Sequence, residues 1–136
     1  MGPVTFVDTS VFVAILAKES DRRGFARTIA AAEGRLTSPV VRLETCIVLG
    51  SRLFVSPREA ERQFEKFLVE AEIAEVGIDA AIGIAAVNCF ERFGKGRHPA
   101  RLNFADCLSY ASARILGAHL LFKGNDFAQT DANAWV

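Results

Sequence analysis

Four carboxylates stand where an ordinary surface acid has little reason to be. Asp8 lies in TFVDTSVFVA, between two apolar runs, and Glu44 lies inside the apolar helical pattern PVVRLETCIVLG. Asp106 sits in NFADCLSYASA, and Asp126 follows LLFKGN. Brought together without a cation, carboxylates raise one another's pKa, so such a group is a cation site. Ligation by oxygen alone, with no Cys or His, selects hard ions, Mg²⁺ or Mn²⁺ over zinc. A metal held in this way polarises a phosphoryl oxygen and lowers the pKa of a bound water, which is the chemistry of phosphodiester hydrolysis.

Each acid also has a plainer explanation. Asp8 can cap a helix, although Thr9 and Ser10 can cap it equally well. Asp106 can be the third residue of a helix capped by Asn103, where a carboxylate is favoured by the helix dipole. Asp126 and Asn125 are turn formers, and Asp131 close behind can cap or coordinate through water. Glu44 is harder to explain as structure. It shares an i, i+4 row with Val40 and Val48, and a lone charge beside a buried face must find a cation, a proton or a metal. Arg42, two residues away, points elsewhere on a helix.

The elements that must position these acids follow from hydrophobic periodicity. VTFV (4–7) reads as a buried strand, followed by a helix carrying VFVAILA. A second helix is expected from Asp21 to Glu33, with Phe25, Ile29 and Ala32 on one face, and then a strand at 35–38. Pro39 suits the first turn of a third helix, VVRLETCIVLGSRL. Residues 56–72 give the clearest helix: Ser56 caps, Pro57 takes the first turn, Glu59 completes a capping box, and Ala60, Phe64, Phe67, Leu68 and Ala71 line one face. A strand at 73–77, a helix from Asp79 to Phe93, a basic loop at 94–103, a helix at 104–117 and a strand from His119 into a turn complete the chain. Strands separated by helices imply a mainly parallel sheet covered on both faces, a three-layer α/β/α domain. In that architecture ligands bind beyond the carboxyl ends of the strands, where Asp8 and Asp126 fall.

One domain is expected from 136 residues. A hydrophobic fraction of 51% argues against disorder, and a formal net charge of zero argues against a general polyanion binder. No apolar run approaches a spanning helix and no basic leader precedes the first strand, so a cytoplasmic protein with no membrane contact is expected. Cys46, Cys89 and Cys107 lack metal or disulfide spacing and read as core residues. Two separated histidines, His98 and His119, exclude a His-rich metal site and are the only pair that a histidine acid–base mechanism could use.

FVDTSV, the helical RLET, LNFADCLSYASA and LLFKGNDFAQTD together resemble the PIN-domain ribonucleases, and within them the VapC toxins of bacterial type II toxin–antitoxin pairs. The similarity runs over nearly the whole chain. It implies that Asp8, Glu44, Asp106 and Asp126 take the positions of the family's acidic quartet and that Ser10 supports the first Asp. The expected ligands of Mg²⁺ or Mn²⁺ are Asp8 and Asp106, with Glu44 and Asp126 bound directly or through water. Ser10 and Thr130 are candidates for orienting these carboxylates. The resemblance also implies RNA cleavage to 5′-phosphate and 3′-hydroxyl ends, a homodimer, and neutralisation by a VapB-like antitoxin encoded alongside. Ser112 departs slightly from the family pattern, with consequences expected for packing only.

Lys95, Arg97 and Arg101, with Arg92 and His98, form a basic cluster just before Asp106 and are candidates for guiding the RNA backbone. An ordinary solvated loop explains them too. The 56–72 helix and FARTIAAA are apolar enough to offer a groove to an antitoxin helix. The rivals are a receiver-like signalling module, which lacks its adjacent acid pair here, and a PIN scaffold without catalysis.

Overall fold

The computed structural model describes residues 3–134. Four short strands form one parallel sheet in the order β3-β2-β1-β4: β1 (Val4–Val7), β2 (Gly34–Thr37), β3 (Ala74–Glu75) and β4 (His119–Leu121). Six helices flank it in a three-layer α/β/α arrangement: α1 (Thr9–Leu16), α2 (Arg22–Ala31), α3 (Pro39–Leu53), α4 (Pro57–Glu70), α5 (Ala80–Phe93) and α6 (Phe104–Ile115). β1 occupies an inner position, hydrogen-bonded on one side to β2 and on the other to β4. Its Thr5, Phe6 and Val7 are accordingly buried, as expected of a strand covered on both faces.

Helix starts follow local chemistry. Ser38, Ser56 and Asp79 each accept a hydrogen bond from the backbone N–H three residues on, and Pro39 and Pro57 occupy first turns where no donor is lost. The capping box expected at Glu59 is not closed. Ser56 accepts from Glu59 N–H, but the Glu59 carboxylate instead takes Arg62 at 2.7 Å. The amphipathic reading of α4 holds: Ala60, Phe64 and Leu68 are buried, with Phe67 and Ala71 packed at the margin. Phe12 of α1 stacks against Phe64 at 4.7 Å between ring centres.

Two boundaries are tighter than the sequence expectation. The last strand stops at Leu121, and the expected turn after it leads into two 3₁₀ turns at Phe127–Gln129 and Asp131–Ala134. The third strand shrinks to two residues, both exposed. All three cysteines are buried and reduced. Among the described residues, large exposed apolar side chains lie on α3 (Leu43, Ile47), α5 (Ile84, Val87, Phe90) and α6 (Phe104, Ile115) and at Phe54 just after α3, with only Val69 on α4. On α2 the only large apolar side chains, Phe25 and Ile29, pack inward.

Candidate active site

The carboxyl end of β1 delivers Asp8. Its backbone N–H donates to the Leu121 carbonyl at 3.1 Å, extending the β1–β4 ladder by one residue. Asp8 then serves as the N-cap of α1 with extended backbone angles. The cap expected from Thr9 or Ser10 is therefore Asp8 itself, because strand pairing holds it extended and the helix begins at the next residue. Its Oδ2 accepts from the Ser10 N–H at 3.1 Å and the Ser10 hydroxyl at 2.8 Å. Its Oδ1 is buried with no hydrogen-bond partner. Asp8 is 5% exposed. Burial pushes its pKa above the ordinary value, against the opposing pull of Ser10, the nearby Ser109 hydroxyl and the Thr9 backbone.

Glu44 reaches in from α3, half-buried, and its Oε1 accepts from the Thr9 hydroxyl at 2.6 Å. Burial raises its pKa, with the Thr9 bond opposing and repulsion from Asp8 adding to the rise. Arg42 gives Glu44 no relief, since it is engaged by Glu61, Glu65 and Glu75. Asp106 is the third residue of α6 and closes a reciprocal capping box. Its Oδ2 accepts from Asn103 N–H at 3.0 Å, and Asn103 Oδ1 accepts from Asp106 N–H at 2.9 Å. Its pKa is pushed up to about 7, first by burial and then by repulsion from Asp8, Glu44 and Asp126, against the Asn103 bond.

Asp8, Glu44 and Asp106 line one open recess of about 320 Å³, with Thr9 and Ser10 between them. Asp126 is exposed ahead of the first 3₁₀ turn and is not among the lining residues, although its charge reaches Asp106. Glu19, Arg52 and Lys123 form the rest of the polar lining. Among the described residues, no three acidic, cysteine or histidine side chains are already gathered tightly enough to hold an ion. The chemistry of the recess nevertheless fits a hard divalent cation: its donors are all carboxylate or hydroxyl oxygens, three carboxyl groups are held above their ordinary pKa, and one buried oxygen lacks a partner.

Several expected site residues lie elsewhere. The Thr130 hydroxyl donates to the Phe127 carbonyl at 2.7 Å and accepts from Ala132 N–H at 3.1 Å, so it joins the two 3₁₀ turns and orients no carboxylate. Asp131 accepts from the Tyr110 hydroxyl at 2.5 Å and pairs with Arg92 at 3.6 Å. Lys95, Arg97 and Arg101 line a second, shallow recess on the loop between α5 and α6, with Gly96, His98 and Pro99. The two recesses share no lining residue. Thr9, Ser109, Glu19 and Arg52 had no place in the sequence-based site. Thr9 had a signal, since a hydroxyl beside a buried acid can serve a second acid. Glu19 and Arg52 are joined only by folding.

A family model described as PIN domain matches residues 5–133. The chain is 43% identical over 128 residues to the Ribonuclease VapC of Mycolicibacterium smegmatis, covering 94% of this chain and 97% of that protein. It is 41% identical over 125 residues to Ribonuclease VapC30 of Mycobacterium tuberculosis, covering 92% and 93%. It is 36% identical over 140 residues to a VapC ribonuclease of Rhizobium meliloti, covering 94% and 99%. Among solved structures, the fold matches Mycobacterium tuberculosis VapC20, described as a sarcin–ricin loop cleaving toxin. That match has a TM-score of 0.72 and 23% identity over 97% of this chain and 96% of that one. A toxin–antitoxin complex from Klebsiella pneumoniae matches with a TM-score of 0.67 and 15% identity, over 94% and 93%.

Proposed function

The chain belongs to the PIN domain family and, within it, to the VapC ribonucleases, and from that premise we propose that it is the metal-dependent toxin of a toxin–antitoxin pair, cleaving RNA at the recess beyond β1. The observation that carries this reading is the convergence of Asp8, Glu44 and Asp106 on one recess, with Asp8 Oδ1 left unpartnered. Asp8 and Asp106 would hold Mg²⁺ or Mn²⁺, with Glu44 and Asp126 bound directly or through water. Such an ion, when bound, supplies polarisation of the scissile phosphate and a water acidic enough to attack near neutral pH.

The protein's own groups supply orientation. Ser10 fixes Asp8 by Oδ2, and Oδ1 makes no hydrogen bond. Thr9 fixes Glu44 by Oε1, and the Asn103 amide fixes Asp106 by Oδ2. Each acid is thus held by one oxygen while the other remains for an ion, an arrangement that lowers the reorganisation needed on binding. The expected products carry 5′-phosphate and 3′-hydroxyl ends. A VapB-like antitoxin and a homodimer complete the proposed assembly; the antitoxin is supported by the toxin–antitoxin complex of like fold.

The test is RNA cleavage by the purified protein with Mg²⁺ or Mn²⁺. Cleavage should stop with EDTA, and Asp8→Asn should reduce it to background while the circular dichroism spectrum is unchanged. Retention of activity in EDTA would reject the metal, and retention in the variant would reject the site.

A further inference from the structure

Carboxylates repel a polyanion, and the divalent ion they would hold meets only the scissile phosphate, so cations elsewhere in the recess would serve the flanking backbone. Two cations line it, Arg52 from the last turn of α3 and Lys123 from the segment after β4. Glu19 bridges them with one oxygen each: Oε1 to Lys123 Nζ at 2.6 Å and Oε2 to Arg52 Nη2 at 2.9 Å. Lys123 Nζ also lies 3.0 Å from Asp21, which is outside the lining. We propose that Arg52 and Lys123, spaced by Glu19, are the phosphate-gripping wall of the recess and hold the backbone of single-stranded RNA beside the acids.

The geometry supports a grip over a simple surface ion pair in three ways. The Arg52 side chain is 50% exposed and engages Glu19 through a single nitrogen, which leaves the rest of a planar donor fork for a phosphate. Lys123 is 39% exposed and Glu19 only 22%, so the anion is tucked behind the cations it spaces. The Lys123 backbone N–H donates to Ser10 Oγ at 2.9 Å, and the same hydroxyl donates to Asp8. The cation that meets the substrate is therefore tied to the carboxylate that meets the metal. The basic loop of Lys95, Arg97 and Arg101 opens onto its own recess and does not supply this wall.

The inference rests on the ribonuclease reading, and its test separates the two. Binding of a fluorescent single-stranded RNA is followed by anisotropy across a KCl series in the non-cleaving Asp8→Asn background. Arg52→Gln and Lys123→Gln should each weaken binding and each flatten the slope of log affinity against log salt by about 0.7. Glu19→Gln breaks the same ion pairs but frees both cations, so it should tighten binding and keep or steepen the slope. In the otherwise wild-type protein with Mn²⁺, Arg52→Lys should retain more of kcat/KM than Arg52→Gln. If all three Gln variants shift binding in the same direction, or if the slope does not move, the cations are structural and the inference is overturned. RNA that stays intact with the wild-type protein in Mn²⁺ would instead overturn the ribonuclease reading.

Discussion

Asp8 divides two duties between two oxygens. Oδ2 caps α1 through Ser10, while Oδ1 is buried without a partner. Such an arrangement destabilises the metal-free protein and is relieved by a cation. In Asp8→Asn the amide oxygen can still accept both Ser10 bonds and the buried charge is gone. The metal-free variant should therefore melt higher than wild type, by about 1 kcal/mol or ~4 °C, and should lose the rise in Tm that Mn²⁺ gives wild type. Thermal melts with EDTA and with Mn²⁺ read both effects; a lower metal-free Tm would mean that Asp8 is favourably solvated. Asp106 adds a pH dependence with a definite sign. Its pKa rises from an ordinary 3.8 to about 7 on folding, so its contribution is complete below about 4 and is lost as pH climbs through about 7. The Tm difference between metal-free wild type and Asp106→Asn should fall over that window. Mn²⁺ competes with the same proton, so Mn²⁺ stabilisation should instead grow from pH 6 to pH 8. At this scale the sequence showed which acids were unusual, because an acid inside PVVRLETCIVLG has no cheap surface role. It could not show which oxygen each neighbour occupies, or that Thr130 would turn away to brace two 3₁₀ turns.

Elements with strong periodicity and explicit caps were readable before folding. α3, α4 and α5 begin at Ser–Pro, Ser–Pro and Asp signals and run as expected. The short edge strands were placed but not bounded: β3, expected over 73–77, is two exposed residues whose pairing is set by β2 and not by their own side chains. The turn expected after β4 is there, but what fixes it was not legible: Phe122 and Phe127 pack ring to ring at 5.4 Å across a turn containing Gly124 at φ +107. α6 carries a local inconsistency that was visible in its sequence: Ser112, flanked by Ala111 and Ala113. Its hydroxyl is buried without a hydrogen-bond partner. Ser112→Ala removes an unsatisfied donor and raises helix propensity, so it should stabilise by about 1 kcal/mol. The urea midpoint should rise with an unchanged m-value, and RNA cleavage should be unaffected. A fall in the midpoint would show that the hydroxyl is bonded in solution.

Across the whole molecule, sixteen basic and sixteen acidic residues cancel, yet their distribution is uneven. Asp8, Glu44 and Asp106 converge beyond β1, Arg52 and Lys123 share that recess, and Lys95, Arg97 and Arg101 stand apart on the α5–α6 loop. With no net charge to attract it, RNA is held through the few phosphates that local cations neutralise, and each contributes about −0.7 to the salt slope on a single strand. Two recess cations alone give about −1.4, and all five together about −3.5. The measured slope therefore reports how far the RNA extends from the acids. A value near −1.4 that Arg97→Gln with Arg101→Gln leaves unchanged would make the loop a solvated connector. A steeper value that this pair reduces by about 1.4 would place the RNA across both recesses. A slope much steeper than −3.5 would require cations on another face, and would contradict the charge balance from which the estimate starts.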